Sequence, residues 1–138
     1  MVYRSIFLLV LTSYSILTNA QNTGTDLKSS VLRGKKIYEQ NCLTCHQADG
    51  NGVPNLNPPL SKTTYVLGDQ VRLIKIVLNG LEEEIEINGN YYSNPMPSFG
   101  SVLNDQQIAD VLTYVRNSFS NKASQVTAAK VKTVRGTK

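Results

Sequence analysis

Apolar residues recur every three or four positions in three stretches of this 138-residue chain, a spacing that places them on one face of an α-helix. The helices predicted from this pattern cover residues 29–41, 70–78 and 105–119. Each begins beside a side chain that can cap a helix start: Ser29 or Ser30, Asp69, and Asn104 with Gln107 at capping-box spacing. The pattern therefore predicts a small all-α fold with three main helices.

The stretches between these helices follow other patterns. Residues 46–65 carry repeated glycines and prolines, and a loop of this length is unusual in a compact domain unless it surrounds something. Residues 84–87 alternate glutamate with isoleucine before Asn88-Gly89, the pattern of a short β-hairpin. Asn94–Pro97 is predicted to be extended, because a proline disfavours helix at the residue before it.

The first twenty residues have the features of a secretory signal. Arg4 gives a positively charged start, residues 6–11 form a short apolar run, and Thr18-Asn19-Ala20 places small residues before a cleavage point. An uncleaved membrane anchor is the alternative, although this run falls well short of the ~20 apolar residues that a span needs. We expect removal of residues 1–20 by cleavage near Ala20, a periplasmic or otherwise exported mature protein, and no stable membrane insertion of the mature chain.

The segments that flank the predicted helices are polar. Residues 21–28 are predicted to be a flexible leader, and residues 121–138 a basic tail in which Thr127 can cap a short helix. The domain itself is predicted over residues 29–120. The formal net charge is +4, and loss of Arg4 would leave +3, which is compatible with docking on an acidic protein surface. No cluster of Lys and Arg is interleaved with aromatic residues, so we expect no nucleic-acid partner.

Cys42, Cys45 and His46 have the C-x-x-C-H spacing of covalent haem attachment. Two thiols three positions apart lie on the same side of a helical turn, so both can bond the vinyl groups along one edge of a haem, and the next residue reaches the iron as an imidazole ligand. A zinc site would need about four ligands, and a thioredoxin-like dithiol normally lies near a βαβ pattern. The chain has two Cys and one His and shows no such pattern, so haem attachment is favoured over these two alternatives.

Met96 is the candidate for the iron ligand opposite His46. Besides Met1 the chain has no other methionine, and it has no second histidine. A thioether favours ferrous iron and raises the reduction potential, and the flanking Pro95 and Pro97 stiffen the backbone that would present it. The alternative is a methionine that only fills the core, which would leave the iron open to ligand binding or peroxidase chemistry.

The motifs and their order along the chain resemble those of class I cytochromes c over about residues 29–120. The residues that carry the resemblance follow one another along the chain: Gly34, Tyr38, Cys42 to His46, Pro58-Pro59-Leu60, Asn94 to Pro97, and Tyr114. The resemblance implies the small cytochrome c fold, with three main helices around one haem and a short β-hairpin near the Met96 loop. It also implies that Gly34 and Tyr38 pack against the helix predicted over residues 105–119.

The resemblance further implies a cofactor and a function. The expected cofactor is one haem c with its iron, and the residues implied to hold it are Cys42 and Cys45 by covalent bonds, His46 and Met96 as axial ligands, Pro58 through its carbonyl to the His46 ring, and Leu60 by packing. The implied function is one-electron transfer between redox proteins, not catalysis, by a monomer or by a subunit of a dehydrogenase or reductase complex. A haem enzyme or sensor with a displaceable sixth ligand is a further alternative. The candidate propionate partners are Tyr65, Arg72, Tyr91 and Tyr92, while the acidic run Glu82–Glu86 has no assigned role.

Overall fold

Six helices and one two-stranded sheet are described over residues 22–137 in the computed structural model. In chain order they are α1 (Asn22–Asn41), α2 (Leu43–His46), α3 (Thr64–Leu67), α4 (Gln70–Asn79), β1 (Ile85–Ile87), β2 (Asn90–Tyr92), α5 (Asp105–Arg116) and α6 (Ala128–Gly136). The prediction of a mainly helical fold with a short hairpin is confirmed. Within these residues no helix is both long and apolar enough to cross a bilayer. The signal predicted over 1–20 lies outside the described residues.

Helices α4 and α5 start where the sequence places capping side chains. The carboxylate of Asp69 accepts hydrogen bonds from the N–H groups of Val71 (2.9 Å) and Arg72 (3.3 Å). Asn104 and Gln107 form both bonds of a capping box, at 2.9 and 3.0 Å. Each bond satisfies a backbone group that has no partner within the helix, which is why these starts could be predicted from local sequence.

The hairpin turns at the predicted Asn-Gly pair. Asn88 and Gly89 both have positive φ, 53° and 79°, as a tight two-residue hairpin turn requires. In the antiparallel register Ile85 lies opposite Tyr92. Because side chains alternate along each strand, these two residues and Ile87 are buried on the inner face. The glutamates of β1 and of the preceding loop are exposed.

The core is organised by the packing of α1 against α5. Gly34 allows a close approach, because a Cβ at this position would overlap the carbonyl of Asp110 and the Cβ of Tyr114. Beside this contact the buried carboxylate of Asp110 accepts hydrogen bonds from Ser30 (2.6 Å) and from two nitrogens of Arg33 (2.7 and 2.8 Å). The buried negative charge is therefore paired and hydrogen-bonded, the condition under which burial of a charge is tolerated.

The Gly34→Ala variant tests this packing. Alanine gains about 1 kcal/mol in helix propensity over glycine, but here its methyl group would force the two helices apart. We expect the free energy of unfolding to fall by about 2 kcal/mol, measured by chemical denaturation of the holoprotein. The matched control is Gly136→Ala, where a Cβ meets no atom within 4 Å. Equal stability of both variants and the wild type would show that the close approach does not constrain the fold.

The first helix begins earlier than predicted, at Asn22 and not behind Ser29 or Ser30. The residues predicted to form a flexible leader are therefore helical from Asn22 onward, which corrects that prediction. Ser30 lies within the helix, and its hydroxyl donates to Asp110 instead of capping a helix start. That partner lies 80 positions away in sequence, so the local pattern gives no sign of it.

The end of α5 also differs from the prediction. The helix stops at Arg116, and Phe119, which was expected on its apolar face, lies beyond it with a positive φ of 55°. The Phe119 ring instead packs against the rings of Tyr38 and Tyr114, with centroid distances of 5.3 and 5.6 Å. The position of Phe119 is thus determined by its contacts with these aromatic rings, and not by helical periodicity.

Residues 121–137 belong to the same core and are not a separate tail. The helix expected behind Thr127 is present as α6, and the Thr127 hydroxyl accepts a hydrogen bond from the N–H of Lys130 (3.2 Å). Val126, Val131 and Val134 are buried, and α6 packs on α4 and α5. The domain therefore continues past residue 120, where the sequence pattern placed its end.

Candidate haem site

The C-x-x-C-H motif forms a helical turn that directly continues α1. The N–H of Cys42 donates to the carbonyl of Tyr38 (2.8 Å), and the N–H of His46 donates to the carbonyl of Cys42 (2.9 Å). Both bonds join residues four positions apart, as in an α-helix, so the motif has helical backbone geometry. Cys42, Cys45 and His46 all reach one cavity, where two thiols and one imidazole can contact a single bound group.

This cavity contains every residue predicted to hold a cofactor on its wall: Cys42, Cys45, His46, Pro58, Leu60 and Met96. Together with these six residues, apolar side chains from helices, strands and loops line the same space, which suits a large apolar cofactor. The remaining wall is mainly apolar and comes from several elements, including Val77 of α4, Val111 of α5 and Ile85 of β1.

His46 is oriented by the loop that follows it. Its Nδ1 lies 3.0 Å from the carbonyl oxygen of Pro58. A carbonyl can only accept, so Nδ1 donates its proton to this bond and Nε2 keeps a free lone pair, the form of the ring that binds a metal. Burial lowers the pKa of His46, against the opposite effect of the Pro58 hydrogen bond, and so favours the neutral ring.

The backbone of the irregular loop over residues 46–65 holds Pro58 in place. Gly52 has a φ of 65°, and a side chain there would overlap the carbonyls of Asn57 and Pro58. Next to it the N–H of Val53 donates to the carbonyl of Asn57 (2.9 Å). The glycines and prolines that predicted an irregular loop therefore also bring the Pro58 carbonyl to the His46 ring.

Met96 is fixed at the cavity by its backbone. Its N–H donates to the carbonyl of Leu81 (2.8 Å), and its own carbonyl accepts from the N–H of Leu81 (2.9 Å). Gly80 has a φ of 82°, and a Cβ there would lie 2.6 Å from the Met96 carbonyl oxygen. The Met96 loop is thus attached to the segment that directly follows α4, a helix whose inner face forms part of the cavity wall.

The two thiols are not arranged for disulfide exchange or for zinc. Burial raises the pKa of the Cys42 thiol to about 11, with the neighbouring Cys45 as a smaller cause. A reactive dithiol requires the opposite, a lowered thiol pKa. Among residues 22–137 no group of three or more His, Cys, Asp or Glu side chains could hold a metal ion. The raised pKa of Cys42 and the lack of a ligand group among the described residues therefore disfavour both alternatives to haem attachment.

Two of the four candidate propionate partners are brought to the cavity, Tyr65 and Tyr92. Arg72 lies behind the wall, since its guanidinium stacks on the Tyr65 ring at 4.3 Å from the centroid and donates to the carbonyl of Thr64 (3.1 Å). Tyr91 is exposed on the outer face of the hairpin. The two wall tyrosines therefore have the better positions to donate to a propionate.

Two buried polar residues on the cavity wall were missed by the sequence analysis, Asn57 and Thr63. The side-chain oxygen of Asn57 accepts a hydrogen bond from the amide of Asn94 (2.6 Å), which lies 37 positions away, so no local signal could reveal it. The Thr63 hydroxyl accepts from the N–H of Val66 (3.3 Å) and caps α3. This cap is a local signal that could have been recognised.

The fold and the cavity together define the class of protein. Residues 31–119 match the family described as cytochrome c, and the chain belongs to that family. It is therefore an electron-transfer protein with covalently bound haem c, as the sequence predicted. The residues present fit this cofactor, because the two thiols, the free Nε2 and the apolar walls all face the same space.

Individual relatives differ in size. The chain is 37% identical over 92 residues to cytochrome c-552 of Thermus thermophilus, an alignment that covers 64% of this chain and 69% of that protein. It is 37% identical over 99 residues to the gluconate 2-dehydrogenase cytochrome c subunit of Pantoea cypripedii, covering 70% of this chain but 22% of the subunit. The cytochrome c subunit of the quinone alcohol dehydrogenase of Gluconacetobacter polyoxogenes is 34% identical over 108 residues, with 75% and 22% covered.

Proposed function

We propose that this chain is an exported one-electron carrier whose single haem c is bound through Cys42 and Cys45, with His46 and Met96 as axial ligands of the iron. The observation that carries the proposal is that these four side chains line one apolar cavity, while main-chain hydrogen bonds fix both candidate axial residues. The bound haem supplies a reversible one-electron couple. Export rests on the signal predicted over residues 1–20.

The residues around the cavity prepare it for electron transfer and not for substrate binding. The carbonyl of Pro58 orients His46 and leaves Nε2 available. With His46 and Met96 both holding the iron, a bound haem would offer no position for a substrate. The apolar wall, which includes Leu60, would limit the access of water and so disfavour the more highly charged ferric state. Together with the soft thioether, this environment favours a raised reduction potential.

The favoured assembly is a free carrier that meets its redox partners briefly. In support of this, the chain is 37% identical to cytochrome c-552 of Thermus thermophilus over 69% of that protein. A fixed subunit of a dehydrogenase complex is the second candidate, because several relatives carry that role in their names. Recovery alone after gentle lysis supports the carrier, whereas co-purification with a dehydrogenase would support the subunit.

An optical spectrum of the purified protein tests the ligand assignment. We expect the ferric protein to show the weak near-infrared band of thioether-ligated haem, and the ferrous protein to bind carbon monoxide poorly because both axial positions are filled. A haem spectrum without that band, combined with rapid carbon monoxide binding or peroxide turnover, would favour a haem enzyme or sensor. The complete absence of haem, after expression in a host that matures c-type cytochromes, would contradict the proposal.

A further inference from the structure

The C-terminal helix α6 contacts the segment that connects Met96 to α5. From a single guanidinium, Arg135 donates to the carboxylate of Asp105 (2.7 Å), to the carbonyl of Leu103 (2.9 Å) and to the carbonyl of Gly100. Such contacts between a planar, charged donor and several acceptors fix relative position more strongly than a single hydrogen bond does. The helix that provides them lies beyond residue 119, where the match to the cytochrome c family ends.

The contacted segment, residues 97–104, forms part of the cavity wall. Phe99 and Leu103 line the cavity, and the N–H of Gly100 donates to the carbonyl of Leu78 in the last turn of α4 (3.0 Å). The loop that carries Met96 continues into this segment. Its other end is held by the two backbone hydrogen bonds between Met96 and Leu81. The segment is therefore attached to α4 on one side and to α5 and α6, through the guanidinium, on the other.

The α6 helix is itself firmly held and can serve as an anchor. Val131 and Val134 are 0% and 5% exposed, and they pack into the main hydrophobic core. Arg135 follows directly, and its ion pair with Asp105 is partly shielded, with side-chain exposures of 33% and 28%. Partial burial makes such a pair more effective than a fully exposed one, whose contribution is small.

We propose that Arg135 is a positioning residue that keeps the Met96 loop closed and so limits access of external ligands to the position opposite His46. This inference rests on the proposed ligation by Met96. An external ligand can bind only while the loop is open, so its apparent dissociation constant is the intrinsic constant divided by the open fraction. Contacts that hold the loop lower that fraction and weaken external binding.

Titration of the oxidised holoprotein with imidazole measures this open fraction. We expect Arg135→Gln to bind imidazole about fivefold more tightly than the wild type, because the charge-assisted contacts to the loop are lost. Arg135→Lys keeps the charge but loses the planar fork of donors, and should give an intermediate affinity. The matched control is Lys132→Gln, which removes the same charge from an exposed position of α6 and should bind imidazole as the wild type does.

The outcomes separate this inference from the proposed function. If the wild type shows the near-infrared band and Arg135→Gln binds imidazole no more tightly, the loop is not held by Arg135, and ligation by Met96 still stands. A fall in unfolding free energy without a change in imidazole affinity would likewise mean a purely structural role. A wild type that lacks the band would overturn both proposals. If Arg135→Gln yields no haem protein, Arg135→Lys and Asp105→Asn are titrated in its place. The inference is overturned if both of these variants bind imidazole with the same affinity as the wild type.

Discussion

Replacing Met96 with leucine is expected to remove the near-infrared band and to lower the reduction potential by at least about 0.1 V, within the ~0.8 V over which axial ligands set haem potentials. Leucine has nearly the volume of methionine, so the cavity stays filled and the main change is the loss of sulfur. Because the thioether favours ferrous iron, its removal favours the ferric state and lowers the potential. A spectroelectrochemical titration of the purified protein measures both effects.

The control for this variant changes the same wall without touching the candidate ligand. Leu73→Met introduces a thioether at a buried position of α4 that also lines the cavity, and should leave both the band and the potential close to those of the wild type. Met96→Leu should also bind carbon monoxide readily once reduced, because one axial position is then open. An unchanged band and potential in Met96→Leu would rule out Met96 as the ligand.

The double variant Cys42→Ala plus Cys45→Ala is expected to lose covalent haem and most of the cooperativity of folding. A group that binds only the folded state stabilises it by mass action, and a covalently attached group cannot dissociate. Without it the structure must retain or collapse the apolar cavity that Cys42, Cys45 and His46 line. We expect acidified organic solvent to extract haem from this variant. We also expect the free energy of unfolding to fall by at least about 3 kcal/mol. The thermal transition followed by circular dichroism should be broad.

A change inside the same motif provides the control. Thr44 is exposed between the two cysteines, so Thr44→Ala should keep the haem bound under denaturing conditions and should melt as the wild type does. The prediction fails if the cysteine variant, shown to be free of haem, melts as cooperatively and at as high a temperature as the wild type. The cofactor would then not be the centre of this core.

Features set by neighbouring residues could be predicted from the sequence. The caps at Asp69 and Asn104 involve donors within three positions, and the hairpin turn depends on Asn88-Gly89 alone. The haem motif is equally local, because the thiols of Cys42 and Cys45 are brought together by a single helical turn. The class of cofactor and the order of the main helices therefore followed from the sequence.

Features set by distant contacts could not be predicted in the same way. The loop contact of Arg135 joins residues 35 positions apart, and Phe119 leaves the helical pattern because it packs on Tyr38. Val126 and Val131 lack a clear helical spacing, so the buried C-terminal segment has the sequence pattern of a polar tail. Each of these positions depends on the partner that the complete fold provides.

The pairing of α1 with α5 determines when this protein can fold. Ser30 and Asp110 are 80 positions apart, and closing a loop of that length costs about 4 kcal/mol in chain entropy. That cost is offset only when both helices are complete, so native structure cannot form before residues 105–116 have been synthesised. Until then the segment around Cys42 lacks its native partners, which leaves its two thiols accessible. Late helix pairing thus gives the chain time for haem attachment before it folds.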